Sequence, residues 1–164
     1  MTAAETILAL VTAQRGGELL LSRSHTKALM ARGAVEIGAG QYPLMVALHA
    51  AWLIALWVFG RNESVDPFWF GVYLALQAFR AWVMMTLGVR WTTRIIVLPN
   101  APLITSGPYR FIRHPNYAVV AAEIAVLPLT LGLPSLAALF TVLNTIVLVI
   151  RIRSEDRARA AVGS

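Results

Sequence analysis

Long apolar runs separated by short polar segments dominate this chain. Four runs are clear, and a fifth, near the amino terminus, is interrupted by polar residues and glycines. A helix needs about 20 predominantly apolar residues to cross the hydrocarbon core of a bilayer. The pattern therefore predicts an all-α integral membrane protein with about five transmembrane helices. The clear runs are Tyr42 to Phe59, Pro67 to Val89, Tyr117 to Leu133, and Pro134 to Ile150.

The fifth run, Ala3 to Leu21, contains Arg15 and Glu18. These residues are three apart, so on a helix they share a face and can pair. The run either crosses the membrane or packs obliquely against the other helices with both ends in the cytosol. We favour a crossing because of the charges in the loops.

Basic residues concentrate in alternate loops, after the first, third and fifth runs, whereas Arg61 in the intervening loop is offset by Glu63 and Asp66. Because basic loops stay in the cytosol, this alternation predicts an external amino terminus and a cytosolic carboxy terminus. The same loops can bind anionic lipid head groups. The basic residues are Arg23, Lys27, Arg32, Arg90, Arg94, Arg110, Arg113, Arg151, Arg153, Arg157 and Arg159.

The last two runs are separated only by Gly132, Leu133 and Pro134. Glycine and proline in succession are typical of a tight turn, and proline fits the first turn of a helix. The two helices are therefore predicted to form an antiparallel hairpin, either crossing at a tilt or partly embedded. Their polar ends must then lie at the same membrane surface.

The composition supports a membrane protein and excludes several other classes. The chain is 58% hydrophobic and 13% charged, against about 25% charged residues in soluble domains. No linker divides it, so residues 1–164 are predicted to form a single domain. The net charge is +6, but the basic residues stand at the ends of apolar runs, which argues against nucleic-acid binding. The absence of cysteine excludes thiolate catalysis and cysteine metal ligands.

A polar and aromatic cluster, residues 107–117, precedes the fourth run. Pro115 fixes the start of the helix and biases His114 toward an extended backbone. Unpaired amides at a helix amino terminus favour anions, so His114 is predicted to lie beside exposed donors. The cluster either forms a ligand site or only anchors the helix at the interface.

A second polar segment, Arg151 to Arg157, follows the fifth run. Arg151 and Glu155 are four residues apart and share a helical face. The predicted hairpin brings this segment beside the cluster at His114.

The two segments together resemble the isoprenylcysteine carboxyl methyltransferase family. That family is characterised by Arg-His-Pro-x-Tyr, here beginning at Arg113, followed after a helical hairpin by paired acidic residues, here Glu155 and Asp156. The resemblance covers roughly residues 90–159, the half that would bind the cofactor. The amino-terminal half, with residues 33–36 and Tyr42-Pro43, looks more like a bacterial branch.

The resemblance implies an S-adenosyl-L-methionine site at the cytosolic surface and no metal. Arg151 would face the acceptor substrate, and Arg151 and His114 would act at the reaction centre. The residues implied to bind the cofactor are Arg94, Pro102, Leu103, Ile104, Tyr109, His114, Pro115, Asn116, Tyr117 and Glu155. Residues 102–104 are expected to be strand-like.

The reaction implied is transfer of a methyl group to an oxygen of a lipophilic acceptor that enters from the bilayer. The acceptor is either a prenylcysteine carboxylate or the hydroxyl of a phenolic or pyrone lipid. A carboxylate needs no base, whereas a hydroxyl needs one, for which His114, Glu123, His49 and Glu36 are candidates. Glu123, Arg80 and His49 lie within predicted spans, where internal pairing is an equally good explanation.

Two other classes of function stay open. Some membrane reductases that bind NADPH resemble this family in the cofactor region. A non-catalytic membrane scaffold or small transporter is the other alternative, and it leaves the convergence of His114 and Glu155 unexplained. The oligomeric state is left open by the sequence.

Overall fold

Five α-helices and a two-stranded sheet form the part of the chain that the computed structural model describes, residues 1–162 without the side chains of Arg159, Ala161 and Val162. The predicted basic side chain of Arg159 therefore lies outside the described residues. The all-α class is confirmed, because each predicted apolar run becomes one helix. The helices are α1 (Ala3–Met30), α2 (Tyr42–Gly60), α3 (Pro67–Leu87), α4 (Pro115–Thr130) and α5 (Pro134–Val162).

Three described segments are long and apolar enough to cross a membrane: Ala39–Gly60, Pro67–Arg90 and Pro134–Ala158. They carry large exposed apolar side chains, such as Met85 at 75% and Val142 at 60% exposure. Helix α4 is apolar but has 16 residues, or about 24 Å at 1.5 Å per residue. Helix α1 extends nine residues beyond its predicted end, Leu21, and carries charges along its length. A count of about five crossings stays a prediction.

Helix α4 lies at the centre of the bundle. Its main packing partners are α3 on one side and α5 on the other. Leu127 and Ile124 are buried in the same core as Leu8 of α1, Trp52 of α2 and Phe140 of α5. A helix surrounded by protein need not match the bilayer thickness, which explains why the shortest helix is the most buried.

The tight hairpin between α4 and α5 is confirmed. The amide of Leu133 donates to the carbonyl of Pro128, and the amide of Gly132 donates to the carbonyl of Leu129. These two bonds form a Schellman motif, which needs a left-handed residue at the position of Gly132. The φ angle of Gly132 is 66°, and Pro134 starts α5 directly afterwards.

Antiparallel packing gives the bundle two distinct ends. At the hairpin end, the Thr2 hydroxyl donates to the Arg61 carbonyl at 2.8 Å, and the Asp66 amide donates to the Thr130 carbonyl at 2.9 Å. At the opposite end, which we call the site end, α1 and α3 finish, α2 and α4 start, and α5 continues as a polar extension. The predicted basic loops all lie at the site end.

A small antiparallel sheet closes the site end. Strand β1 (Val35–Ile37) pairs with β2 (Ile95–Val97), with Glu36 opposite Ile96. Neither strand was predicted, because three residues are too few to show an alternating pattern. The prediction of strand-like structure at residues 102–104 is wrong, since these residues are irregular. Pro102 has no amide hydrogen for a ladder.

A buried ionic network joins α1, α3 and α4. Arg80 donates through Nε and Nη2 to the two carboxylate oxygens of Glu18, at 2.7 and 2.5 Å, and through Nη1 to Glu123 at 2.8 Å. Arg15 donates to the same two carboxylates, at 3.0 Å to Glu18 and 2.8 Å to Glu123. Two positive and two negative charges are therefore balanced inside the bundle.

Two glutamines complete the network. Gln77 donates to the second oxygen of Glu123 at 2.7 Å, and Gln14 donates to both Glu18 and Gln77. Glu123 is fully buried and Arg80 is 4% exposed. The internal pairing expected as one explanation of Glu123 and Arg80 is thus what the structure contains, and the pairing of Arg15 with Glu18 is confirmed.

Replacing one carboxylate tests the contribution of the network. Glu123→Gln leaves an uncompensated arginine charge in the core, and breaking a buried pair typically costs about 3–5 kcal/mol. We expect a large drop in the melting temperature of the detergent-purified protein. Glu63→Gln, in the exposed loop after α2, is the control and should melt like the wild type. Equal melting of all three proteins would contradict this role.

Candidate functional site

The cluster before α4 divides into an outward and an inward half. Phe111 and Arg113 are exposed, as expected of residues that anchor a helix at an interface. His114 and Tyr117 face the protein, with their rings stacked at 5.6 Å between centroids. Pro115 is buried at the first position of α4. The exposed residues are therefore the ones available to an interface, and the inward residues are the ones available to a ligand.

The inward half meets the extension of α5. The Tyr117 hydroxyl donates to Glu155 Oε2 at 2.7 Å, and His114 Nε2 lies 3.5 Å from Asp156 Oδ1. The structure thus brings together the two segments that the sequence placed at the same surface. The hairpin is the cause, since it returns α5 alongside α4.

A cavity of about 160 Å³ lies at this meeting point, and because about half of its wall is polar, far more than in the second cavity below, we call it the polar cavity. Its walls also include Leu29, Arg90, Thr92 and the strand β2, which the sequence did not indicate. Every residue predicted to contact the cofactor lines the cavity except Pro115, which is buried at the first position of α4. The predicted residues in the wall are Arg94, Pro102, Leu103, Ile104, Tyr109, His114, Asn116, Tyr117 and Glu155.

A second cavity, of about 280 Å³, lies deeper between α1, α2, α4 and α5. Most of its wall is apolar, including Leu19, Met45 and Leu148. Arg151 lines this cavity rather than the polar one, and the residue is 4% exposed. Arg151 Nη2 donates to the Thr93 carbonyl at 2.9 Å. This bond holds the guanidinium at the part of the cavity nearest the site end.

The two cavities share part of one wall. Thr92, Asn116 and Tyr117 line both of them. Asn116 is held by Trp91, whose Nε1 donates to Asn116 Oδ1 at 3.2 Å. The polar cavity and the apolar cavity therefore lie on the two sides of the same three residues.

The end of α1 holds the loop that contributes Thr92 to this wall. Ser22 Oγ accepts from the Thr93 amide at 2.8 Å, and His25 Nδ1 lies 2.7 Å from the Trp91 carbonyl. The extension of α1 beyond its apolar run therefore has a structural purpose at the site. Serine and histidine inside a helix gave no sequence signal for it.

Arg94 is held by contacts from the amino-terminal half. It donates to Glu36 Oε1 at 2.6 Å, and its guanidinium lies 4.1 Å from the centre of the Tyr42 ring. The pairing of β1 with β2 is what brings Glu36 to Arg94. These contacts fix one edge of the polar cavity.

The four candidate bases occupy different places. Glu123 belongs to the ionic network, Glu36 pairs with Arg94, and His114 lines the polar cavity. His49 lines the apolar cavity together with Arg151. Only His49, among these four described candidates, is in the wall of the apolar cavity.

Comparison with known proteins finds a matching family and relatives that cover nearly the whole chain. The profile of the isoprenylcysteine carboxyl methyltransferase (ICMT) family matches residues 69–161, which include the loop, the hairpin and the polar extension. The uncharacterized protein YpbQ of Bacillus subtilis is 34% identical over 157 residues, covering 93% of this chain and 94% of that protein. An uncharacterized protein of Haemophilus influenzae is 26% identical, covering 92% and 91%. No solved structure matches the chain.

Removing the Tyr117 hydroxyl tests the junction between α4 and α5. Tyr117→Phe loses the hydrogen bond to Glu155, and hydrogen bonds to charged groups contribute about 1.5–3 kcal/mol. We expect a lower melting temperature. Tyr42→Phe is the matched control, because its hydroxyl makes only a 3.2 Å contact with the Thr93 hydroxyl and should matter less. A smaller effect of Tyr117→Phe than of Tyr42→Phe would contradict this assignment.

Proposed function

The chain belongs to the isoprenylcysteine carboxyl methyltransferase family, and from that premise we propose that it is an S-adenosylmethionine-dependent O-methyltransferase. Its acceptor is a lipophilic molecule that reaches the site from the bilayer. The family membership supports a membrane methyltransferase, and the two cavities support the assignment of the two reactants.

The shared wall is the observation that carries the proposal. One reactant is charged and water-soluble, and the other is apolar, so they need chambers of opposite character that meet at one point. The polar cavity opens among the loops of the site end, and the apolar cavity lies among the helices. Transfer would take place at Thr92, Asn116 and Tyr117, where the chambers adjoin.

The residues of the polar cavity fit adenosylmethionine. Glu155 can accept hydrogen bonds from ribose hydroxyls or the amino group, and Arg90 and Arg94 can bind the methionine carboxylate. Apolar side chains such as Leu103 and Ile104 suit the adenine. His114 Nε2 is buried and makes no hydrogen bond among the described residues, with Asp156 Oδ1 3.5 Å away, so it has capacity for a ligand.

Bound adenosylmethionine would supply an electrophilic methyl group on a sulfonium, so the protein mainly aligns and desolvates the acceptor oxygen. Positive and negative charge both diminish in such a transition state. Arg151 therefore orients the acceptor rather than holding its full charge, because strong binding of the ground state would slow the reaction. Its bond to the Thr93 carbonyl fits this role.

The site end faces the cytosol in this proposal, because the basic loops lie there. Adenosylmethionine enters from the cytosol, and anionic membrane lipids contact the outward residues Phe111 and Arg113. The acceptor oxygen belongs either to a prenylcysteine carboxylate or to a phenolic or pyrone lipid.

Ligand binding tests the cofactor assignment. A ligand that binds only the native state stabilises it by about 2.7 kcal/mol when its concentration is a hundred times its dissociation constant. The melting temperature therefore rises. We expect adenosylhomocysteine to stabilise the wild type but not Glu155→Gln or His114→Ala. Glu63→Gln is the control and should keep the shift. Stabilisation by NADPH alone would favour a reductase, and stabilisation by neither ligand would favour a scaffold or transporter.

Methyl transfer tests the activity itself. Tritiated adenosylmethionine and lipid extracts of the source cell should give a labelled product that partitions into organic solvent. Arg151→Ala should lower kcat/KM about a hundredfold, since small misplacements of the reactants have effects of that order. Arg153→Ala, two residues along the same helix and exposed, is the control. Equal rates for both variants would exclude Arg151 from the site.

A further inference from the structure

A buried amide without a partner lines the apolar cavity. Asn144 of α5 is 1% exposed, and neither its Oδ1 nor its Nδ2 has a hydrogen-bond partner among the described residues. An unsatisfied buried polar group costs about 1–3 kcal/mol. Because Asn144 lies in the wall of a cavity, a ligand there can satisfy both atoms.

Asn144 lies deeper in the bundle than Arg151. Asn144, Leu148 and Arg151 follow each other at helical spacing on one face of α5, and all three line the cavity. Seven residues separate Asn144 from Arg151, or about 10 Å along the helix toward the hairpin end. If the oxygen that is methylated lies at Arg151, a different part of the acceptor, nearer the hairpin end, contacts Asn144.

His49 of α2 lines the same cavity, and its tautomer follows from its partner. Nδ1 lies 2.8 Å from the Met45 carbonyl, and a carbonyl oxygen can only accept, so Nδ1 carries the hydrogen. The neutral ring then has its lone pair at Nε2. Because Nδ1–H points to Met45, the lone pair of Nε2 lies on the opposite edge of the ring and faces away from that carbonyl.

We propose, building on the proposed function, that the apolar cavity binds an acceptor with two hydroxyl groups. Asn144 binds one of them, and His49 accepts the proton of the other as it is methylated. A hydroxyl both donates and accepts, as the Asn144 amide requires. A carboxylate cannot donate, and a prenyl chain at this depth would leave both atoms of the amide unpaired.

The chemical step is balanced by the groups named. The acceptor oxygen forms a bond to the methyl carbon as the bond between that carbon and sulfur breaks, and the hydroxyl proton passes to His49 Nε2. The products are a methyl ether, adenosylhomocysteine and an imidazolium that returns its proton to water. The second hydroxyl stays unchanged at Asn144.

Two lipids that differ by one hydroxyl test the substrate class without any mutation. The probes are 5-pentadecylresorcinol and 3-pentadecylphenol, which have one apolar chain each and two or one hydroxyls. We expect kcat/KM to be about 10- to 100-fold higher for the resorcinol, the factor that corresponds to an unpaired buried amide. With adenosylhomocysteine present, the resorcinol should also raise the melting temperature more than the phenol.

A variant of Asn144 tests the residue responsible. Asn144→Leu should methylate and bind the two probes equally, because no amide is left to form hydrogen bonds with the second hydroxyl. Thr145→Leu makes the same kind of change on the exposed face of α5 and should keep the wild-type preference. A preference retained in Asn144→Leu would overturn the role of Asn144.

The pH profile tests His49 separately. His49→Gln should lower the rate at neutral pH by about 10²- to 10⁴-fold, as expected for loss of a general base, and the rate should recover as the pH approaches about 10, where a phenol ionises by itself. The charged and titratable groups that line the cavity with His49 are Arg15, Glu18, Arg80, Tyr117 and Arg151. An unchanged rate at neutral pH would overturn the role of His49.

The outcomes separate this proposal from the one on which it rests. If adenosylhomocysteine fails to stabilise the wild type, the methyltransferase assignment fails. If it stabilises the wild type but the two phenols react equally, only the second hydroxyl is refuted. Methylation of N-acetyl-S-farnesylcysteine in preference to both would likewise refute the hydroxyl acceptor and leave the methyltransferase intact.

Discussion

The charge-balanced network of Arg15, Glu18, Arg80 and Glu123 is the interaction on which the rest of the structure depends. Apolar helices in lipid gain little from burying one another, so packing and polar contacts decide their arrangement. Here the network joins α1, α3 and α4, and the glutamines satisfy further polar atoms. Once α4 is fixed, its first turn places Asn116 and Tyr117, and once α1 is fixed, its end holds the loop at Thr93.

The second constraint follows from the proposed function, in which the two reactants come from different solvents. A charged cofactor cannot enter hydrocarbon, and an apolar acceptor has no stable place in water. In this fold a short central helix, α4, starts at the junction of the polar cavity and the apolar cavity. Because α4 is enclosed by other helices, its residues need not face lipid, and its amino terminus can line both chambers. The exposed faces of α2, α3 and α5 meet the bilayer instead.

The sequence was informative about the site where its residues are neighbours along the chain. The cluster at His114 and the extension at Glu155 were each visible, and the turn at Gly132 implied that they meet. It was less informative where the site depends on distant pairs. The contact of Arg94 with Glu36 requires two short strands that have no pattern of their own. The cavity wall at Thr92 depends on bonds from the end of α1.

The sequence by itself determined the membrane class, the helical runs, the tight hairpin and the family, because hydropathy, turn residues and a local motif are properties of contiguous residues. The tertiary structure decided the partners of the charges inside the helices. Glu123 could have been a base or a structural ion, and only its contacts with Arg15 and Arg80 assign it to the network. It also separated Arg151 from the polar cavity and brought Asn144 and His49 into one chamber. Hydropathy indicates which segments can lie in a membrane, but not which faces of those helices meet.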